Sequence, residues 1–378
     1  MSGQLMSKKR ILYLSRGGSI GGSQRQLLYL IQNLDRRIYE PFVVYLKEGK
    51  FASILQQLQV NSLFYPLHSW RKFRSVLHRY FDAKQLVSYA QENQISIVHS
   101  SDLWLSSYML RVARQLKVPS VLHVRTPICD TDVRKHKCDH ADLIIAISAR
   151  VVRNLIEAGI RPDKIVQVDD GIDIELFKPQ DNGNMLARDL PVSTDLLVGI
   201  VGRISKLKRQ LDFVKAAALV SKSHSKRVCF LIIGPRYSET YFRKLEKYIE
   251  SNGLVDKVLF TGNRDDMPQV LSSLDVLVSL SGGSVMFEAM ACGMPVISAG
   301  FTSPKDSVHI QNEKTGLLVP SHSTSDLAAA MSRLIEDKAL RTMIGRRARN
   351  WAVRNLYHHE MLRKTFHVYS QLLNKNSW

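Results

Sequence analysis

Apolar residues run through this chain in short blocks, and between the blocks they switch to helical spacing. Ile11–Ser15, Phe42–Leu46, Ile95–Ser100, Ser120–Arg125 and Leu143–Ser148 are blocks of strand length. Between them Gln24–Leu34 sets Leu27, Leu28, Leu30 and Ile31 on one side of a helix. Phe51–Leu58, Ser106–Leu116 and Ala149–Ala158 follow the same period. Lys178–Asp195 holds Pro, Asn and Gly with few apolar clusters and reads as a linker. The alternation then restarts, with strands at Leu196–Val201, Val228–Ile233, Val258–Thr261 and Asp275–Leu280. Helices at Gln210–Val220, Thr240–Ser251 and Met267–Leu274 separate them, and helices at Ser325–Glu336, Ala339–Arg354 and His359–Leu373 close the chain. Strand and helix in alternation predict parallel sheets covered on both faces, and so two doubly wound α/β domains.

Leu280–Ser298 organises the second domain. It reads strand, glycine loop, helix, strand: Gly282 and Gly283 let the backbone bend, Ser284 is in place to cap a helix, and Gly293 with Pro295 stop it. The unpaired N–H groups at such a helix start suit an anion. Glu288 is the single acid in this helix, which reads either as a surface or interdomain glutamate or as a carboxylate accepting hydrogen bonds from the sugar hydroxyls of a nucleotide held by the glycine loop. Upstream, Gly202 and Arg203 end the strand Leu196–Val201 and Lys208 follows in the next loop. A forked guanidinium and a compact ammonium together suit a diphosphate. Ile233-Gly234-Pro235 and Phe260-Thr261-Gly262 end the two strands between these segments.

These motifs, in this order, resemble the retaining glycosyltransferases of family 4. The resemblance covers nearly the whole chain, including Gly21-Gly22, Ala146-Ile147-Ser148 through Pro179, and Thr315–Pro320. It implies the GT-B fold, two Rossmann-like doubly wound α/β domains facing across a cleft. Domain limits of 1–180 and 181–357 follow, with 358–378 crossing back to the first domain. It implies that Arg203 and Lys208 hold the diphosphate, that Glu288 binds the ribose, and that Gly283, Ser284 and Val285 contact donor sugar and phosphate. Gly234 belongs to the same nucleotide site, Arg264 lies beside backbone that reads the base, Gly22 faces the diphosphate and His123 sits near the transferred sugar. The implied activity is that of a hexosyltransferase moving a sugar, with retention and without metal, from a UDP- or GDP-sugar to a hydroxyl of a lipid-linked, lipopolysaccharide or polysaccharide acceptor. The nucleotide sugar is a co-substrate, and no cofactor is implied. The family pattern carries a further glutamate, separated from Glu288's position by seven intervening residues, where this chain has Leu280; the neighbouring Ser281 is not acidic either. Two further readings stay open: a sugar-nucleotide epimerase, and a GT-B binding protein with impaired chemistry.

Charge adds one partner class. The 378 residues carry a formal net charge of +19, which favours polyanions. His68–Lys84 interleaves Arg71, Lys72, Arg74, His78 and Arg79 with Trp70, Phe73, Val76, Leu77, Tyr80 and Phe81 at helical spacing. Two readings fit it: a helix lying on an anionic membrane surface, or a domain helix with its aromatic side inward and a solvated basic face. Nucleic acid is the weaker partner, since no RRM or helix-turn-helix pattern accompanies the charge. No run has the length of a membrane span or the shape of a signal peptide, so the expected location is cytoplasmic, peripheral at the inner membrane face. Cys129, His136, Cys138 and His140 raise a zinc site, at a spacing that fits no standard finger. Asp130-Thr131-Asp132 is read as a loop, not as a metal motif. Cys229 and Cys292 read as small core residues.

Overall fold

The computed structural model describes residues 8–68, 70, 76–180, 186, 190–223, 226–299 and 309–375. The chain divides into two compact units. One is Met1–Gly171 with His358–Trp378, the other Ile172–Tyr357.

The first unit alternates β1 (Lys9–Ser15), α1 (Gly22–Gln32), β2 (Tyr39–Tyr45), α2 (Lys50–Gln57), β3 (Asn61–Phe64), α3 (Val76–Glu92), β4 (Ile97–Ser100), α4 (Ser106–Leu116), β5 (Ser120–Val124), α5 (Asp130–His136), β6 (Leu143–Ala146), α6 (Ala149–Glu157) and β7 (Ile165–Gln167). Its sheet is parallel throughout, in the order β3-β2-β1-β4-β5-β6-β7. Successive side chains of a strand point to opposite faces. Leu12, Leu14, Val98 and Leu122 therefore share one core with α3 and α4, while Ile11, Tyr13, Ile97 and Val121 share the other with α1 and α2. Both faces are apolar because both are covered, which is why these strands read as continuous apolar blocks.

The second unit runs β8 (Leu196–Val201), α7 (Gln210–Ser223), β9 (Val228–Ile233), α8 (Glu239–Ser251), β10 (Val258–Gly262), α9 (Met267–Ser273), β11 (Val276–Ser279), α10 (Ser284–Ala291), β12 (Val296–Ser298), β13 (Leu317–Leu318), α11 (Thr324–Glu336) and α12 (Lys338–Asn355). Its parallel sheet has the order β10-β9-β8-β11-β12-β13. Arg349 of α12 donates to the carbonyls of Ala291, Ile174 and Phe177, placing a cation at the carbonyl end of α10. The last helix, α13 (His358–Lys375), returns to the first unit, where Met361, Leu362, Val368, Tyr369 and Leu372 join the core of α1 and α2.

Several local expectations are corrected. Asp130–Asp132 open α5 and are not a loop; acids belong in a first helical turn, where they oppose the helix dipole. The residue that precedes α10 is Gly283, and Ser284 is its first helical residue, so no side chain caps it. Cys129 is exposed while Cys138 and His136 are buried, and His136 sits edge-on to Trp104 at 5.2 Å. Among the described residues no three His, Cys, Asp or Glu gather as a metal site requires. Cys229 and Cys292 are buried as expected. Of the expected linker, 181–185 and 187–189 lie outside the described residues, and Leu186 is buried in the second unit's core.

Candidate functional site

Each sheet reverses its strand order at one point, β8/β11 in the second unit and β1/β4 in the first. At such a point the two connecting loops leave in opposite directions and open a crevice beyond the carboxyl ends of the strands. The loop after β8 carries Gly202, Arg203 and Lys208, and the loop after β11 carries Gly282 and Gly283. The two cations and the glycine loop, 74 positions apart for Lys208 and Gly282, are thereby made neighbours: Lys208 Nζ donates to the Gly282 carbonyl at 3.3 Å.

Backbone approach at this edge is close. A Cβ on Gly234, at the end of β9, would stand 2.3 Å from the Gly202 carbonyl oxygen, and φ there is 142°. Only glycine fits, so Gly234 shapes the loop that carries Arg203. Gln210, fully buried at the start of α7, secures the same loop: its Nε2 donates to the Arg203 carbonyl at 3.0 Å. Arg203 is exposed, with its guanidinium over the Tyr237 ring at 4.7 Å. Neither Arg203 nor Lys208 pairs with a carboxylate among the described residues. Burial, and then the Arg203 charge beside it, hold the Lys208 ammonium below the usual lysine range. Lys208 stands at the start of a helix with no side-chain cap, with the Arg203 charge close enough to act on it, an arrangement that attracts a polyanion.

The other expected residues of this unit are placed as follows. Glu288 is buried in α10, and Ser284 and Val285 are half-buried in its first turn. Arg264, in the loop after β10, is held to Asp266 by two hydrogen bonds of 2.8 and 2.6 Å. Leu280 is buried in the apolar core, and its carbonyl accepts from Arg209 at 3.2 Å. Sequence reasoning passed over Arg209, Gln210 and Tyr237; a second cation beside Lys208 was the signal available for Arg209.

In the first unit, α1 begins at Gly22 after β1, again without a side-chain cap. The loop after β4 is tied to the loop after β1 by Arg16 and Asp102, 2.6 Å apart. His123 lies in β5, buried, and its Nδ1 is 3.3 Å from the Arg125 guanidinium. Arginine only donates, so Nδ1 accepts and the neutral ring carries its proton on Nε2. That Nε2 is buried with no hydrogen-bond partner among the described residues. Arg125 is in turn held by Asp170 at 2.5 Å. Burial, followed by Arg125 and His99, depresses the His123 pKa well below the ordinary range. His99 stacks on His123 with centroids 5.7 Å apart and meets the Tyr369 hydroxyl at 2.6 Å. Arg125 and His99 were not singled out from sequence, and Asp170 was read only as the turn residue before Gly171, because their partners are remote in the chain or titrate only once buried.

Comparison with known proteins identifies the lineage. The family described as glycosyl transferases group 1 matches residues 186–351, and that described as glycosyltransferase family 4 matches 20–176. The chain belongs to this glycosyltransferase family. It is 30% identical over 226 residues to a D-inositol 3-phosphate glycosyltransferase of Corynebacterium aurimucosum, covering 56% of this chain and 52% of that protein. It is 24% identical to an N-acetyl-alpha-D-glucosaminyl L-malate synthase of Bacillus anthracis, over 71% of this chain and 72% of that one. The chain thus spans about half the length of several curated relatives it matches. Among solved structures, HepE of Anabaena in complex with UDP and glucose superposes with a TM-score of 0.84 at 22% identity, over 96% of this chain and 99% of that one. The chain has the GT-B architecture of two Rossmann-like units, each with its own parallel sheet. Among the described residues no helix is long and apolar enough to cross a membrane.

Proposed function

We propose that this glycosyltransferase holds the diphosphate of a UDP- or GDP-sugar at the β8/β11 crossing and transfers the sugar with retention and without metal. The observation that carries the reading is Lys208 on the Gly282 carbonyl with Arg203 unpaired beside it, at the start of an uncapped helix. As the bond between sugar and phosphate loosens, charge grows on the leaving diphosphate. Arg203, Lys208 and the N–H groups of Gly283, Ser284 and Val285 are the groups that take up that charge. The acceptor hydroxyl enters on the same face, and the departing phosphate oxygen receives its proton, so no side-chain base is required. Glu288 accepts from the ribose hydroxyls, Gly234 keeps the phosphate loop open, and Arg264 borders the base. Gly22 and the partnerless Nε2–H of His123 are the first unit's own candidates for contact with substrate. HepE, in complex with UDP and glucose, supports a nucleotide-sugar donor.

The acceptor is a hydroxyl on a lipid-linked, lipopolysaccharide or polysaccharide chain, presented at the inner face of a membrane by a peripheral enzyme. The names of two relatives include inositol 3-phosphate and L-malate, both anionic and hydroxyl-bearing, which adds small anionic alcohols to the acceptors to be assayed. A second reading rests on Leu280. An acid at that position would lie in an apolar core, so donor contacts made there in the family are lost, which favours a binder of nucleotide sugar without turnover. Nucleotide release from a panel of UDP- and GDP-sugars separates the two. Transfer predicts turnover that Lys208→Ala and Glu288→Ala each lower at least about a hundredfold. Equal rates in the variants would refute the site, and binding with no release across the panel would leave the binder.

A further inference from the structure

The amino edge of the first unit's sheet, opposite the edge that carries Gly22 and His123, holds a groove of about 770 Å³. Its rim is cationic. Arg111 and Arg114 come from α4, Lys117 from the left-handed residue that ends α4, and Lys137 from the one that ends α5. All four are exposed, and none of their side chains makes a hydrogen bond or ion pair with a described residue. The acids nearby are already engaged: Asp163 pairs with Arg161 at 2.5 Å, and Asp142 accepts from the Ser120 N–H and hydroxyl. Four like charges are thus left without a carboxylate partner around one groove, a surface whose field favours an anion. The floor is apolar in part, with Leu110, Val118 and Leu143 facing the groove together with Trp70.

Trp70 links this groove to α3. Its ring packs edge-on against Tyr108 of α4 at 4.9 Å, and the Arg79 guanidinium lies over it at 5.6 Å. Asp82 anchors this corner, accepting from the His68 N–H, the His68 ring and the Tyr65 and Tyr108 hydroxyls. On the amino side of that anchor the large side chains of α3 face outward, whereas Leu86 beyond it is buried. Leu77 is 73% exposed, Tyr80 59% and Phe81 60%. These positions are i, i+3 and i+4, so they share one face of the helix. Of the rest of the basic segment, residue 69 and residues 71–75 lie outside the described residues. A soluble helix with a solvated basic face would bury these three side chains.

We infer that the α4 groove and the exposed face of α3 form one docking surface for an anionic bilayer. Phosphates of the lipid headgroups occupy the rim of Arg111, Arg114, Lys117 and Lys137. Leu77, Tyr80 and Phe81 enter the interface, where amphipathic rings and aliphatic side chains partition. The inference rests on the membrane-face clause of the proposed function and sharpens it. The sequence pointed to 68–84 alone, whereas all four rim cations lie beyond it, Lys137 being the last, 53 residues past Lys84.

The test is co-sedimentation of the full chain with vesicles of phosphatidylcholine alone and of phosphatidylcholine mixed with phosphatidylglycerol. The protein pellets with the mixed vesicles and stays in solution with the neutral ones. Basic residues near an anionic surface act additively, so R111Q/R114Q/K117Q weakens the partition about a hundredfold. L77S/F81S weakens it as well, though its far-UV circular dichroism and melting temperature match those of the parent. Equal pelleting with neutral vesicles overturns the inference, as does unchanged pelleting of either variant. Release by millimolar glycerol phosphate also overturns it, since the groove then holds a soluble phosphate ester. Nucleotide-sugar turnover in vesicle-free solution is read in parallel and stays at the parent rate in both variants. Its absence in all proteins counts against the proposed transfer reaction and leaves the vesicle result standing.

Discussion

Lys208 bears the tension between stability and function at the level of a single side chain. Burial and Arg203 lower its pKa. A cation whose folded pKa lies below its unfolded one opposes folding while protonated, and the penalty fades only as pH rises through the folded value. Lys208→Met is therefore expected to raise the melting temperature at pH 7 without ligand, and to remove the further rise that UDP or GDP gives the parent. His99 works in the same direction at lower pH. Its folded pKa is pushed down to about 3 by burial and then by Arg125, against about 6.5 unfolded. Below pH 6.5 the unfolded chain takes up a proton that the folded chain refuses, so stability present above that pH is lost as pH falls. Each unit costs roughly 1.4 kcal/mol until the folded pKa is reached. Urea denaturation at pH 5 and 7 should show a smaller difference for His99→Gln than for the parent. Asp170→Ala leaves Arg125 charged and unpaired in a largely buried position, at a cost of about 3–5 kcal/mol, while Asp170→Asn keeps an acceptor and costs less. Arg203 and Lys208 were legible in the sequence because charge and glycine spacing are local signals. The chain Asp170–Arg125–His123 was not, since Arg125 and Asp170 are 45 positions apart.

Among the elements, the strands that are buried on both faces were read nearly to the residue. Leu196–Val201 and Val228–Ile233 coincide with β8 and β9, because a fully covered parallel strand is a continuous apolar block. The edge strands β3 and β7 escaped notice. β3 is mostly exposed and β7 is half-buried, so neither presents an apolar block. α5 escaped for the opposite reason, its seven residues being mostly charged with only Val133 and His136 buried. Packing of α10 on α12 was equally hidden. A Cβ on Gly345 of α12 would stand 2.1 Å from the carbonyl oxygen of Gly293, just past the end of α10. Gly345→Ala should therefore push α12 off the helix that presents Glu288. The expected loss is about 1–3 kcal/mol, read by urea denaturation, with a fall in nucleotide affinity that a surface change such as Arg346→Ala does not produce.

For the molecule as a whole, a charge of +19 is spread over functions that composition alone cannot separate. Two cations stand at the β8/β11 crossing, and four rim a groove on the far edge of the other unit's sheet. The sequence could place the first pair, because it sits on motifs, but not the second set, which two helix ends bring together only in the folded chain. The central claim concerns the first pair, and calorimetric titration of the full chain with UDP, GDP and the corresponding nucleosides tests it most directly. The diphosphate is expected to supply most of the affinity. One of the two nucleotides should bind far more tightly than its nucleoside, and Arg203→Ala and Lys208→Ala should each weaken that nucleotide by about 1.5–3 kcal/mol, roughly ten- to a hundredfold, with nucleoside binding unchanged. Equal affinity of parent and variants for both nucleotides would contradict the account.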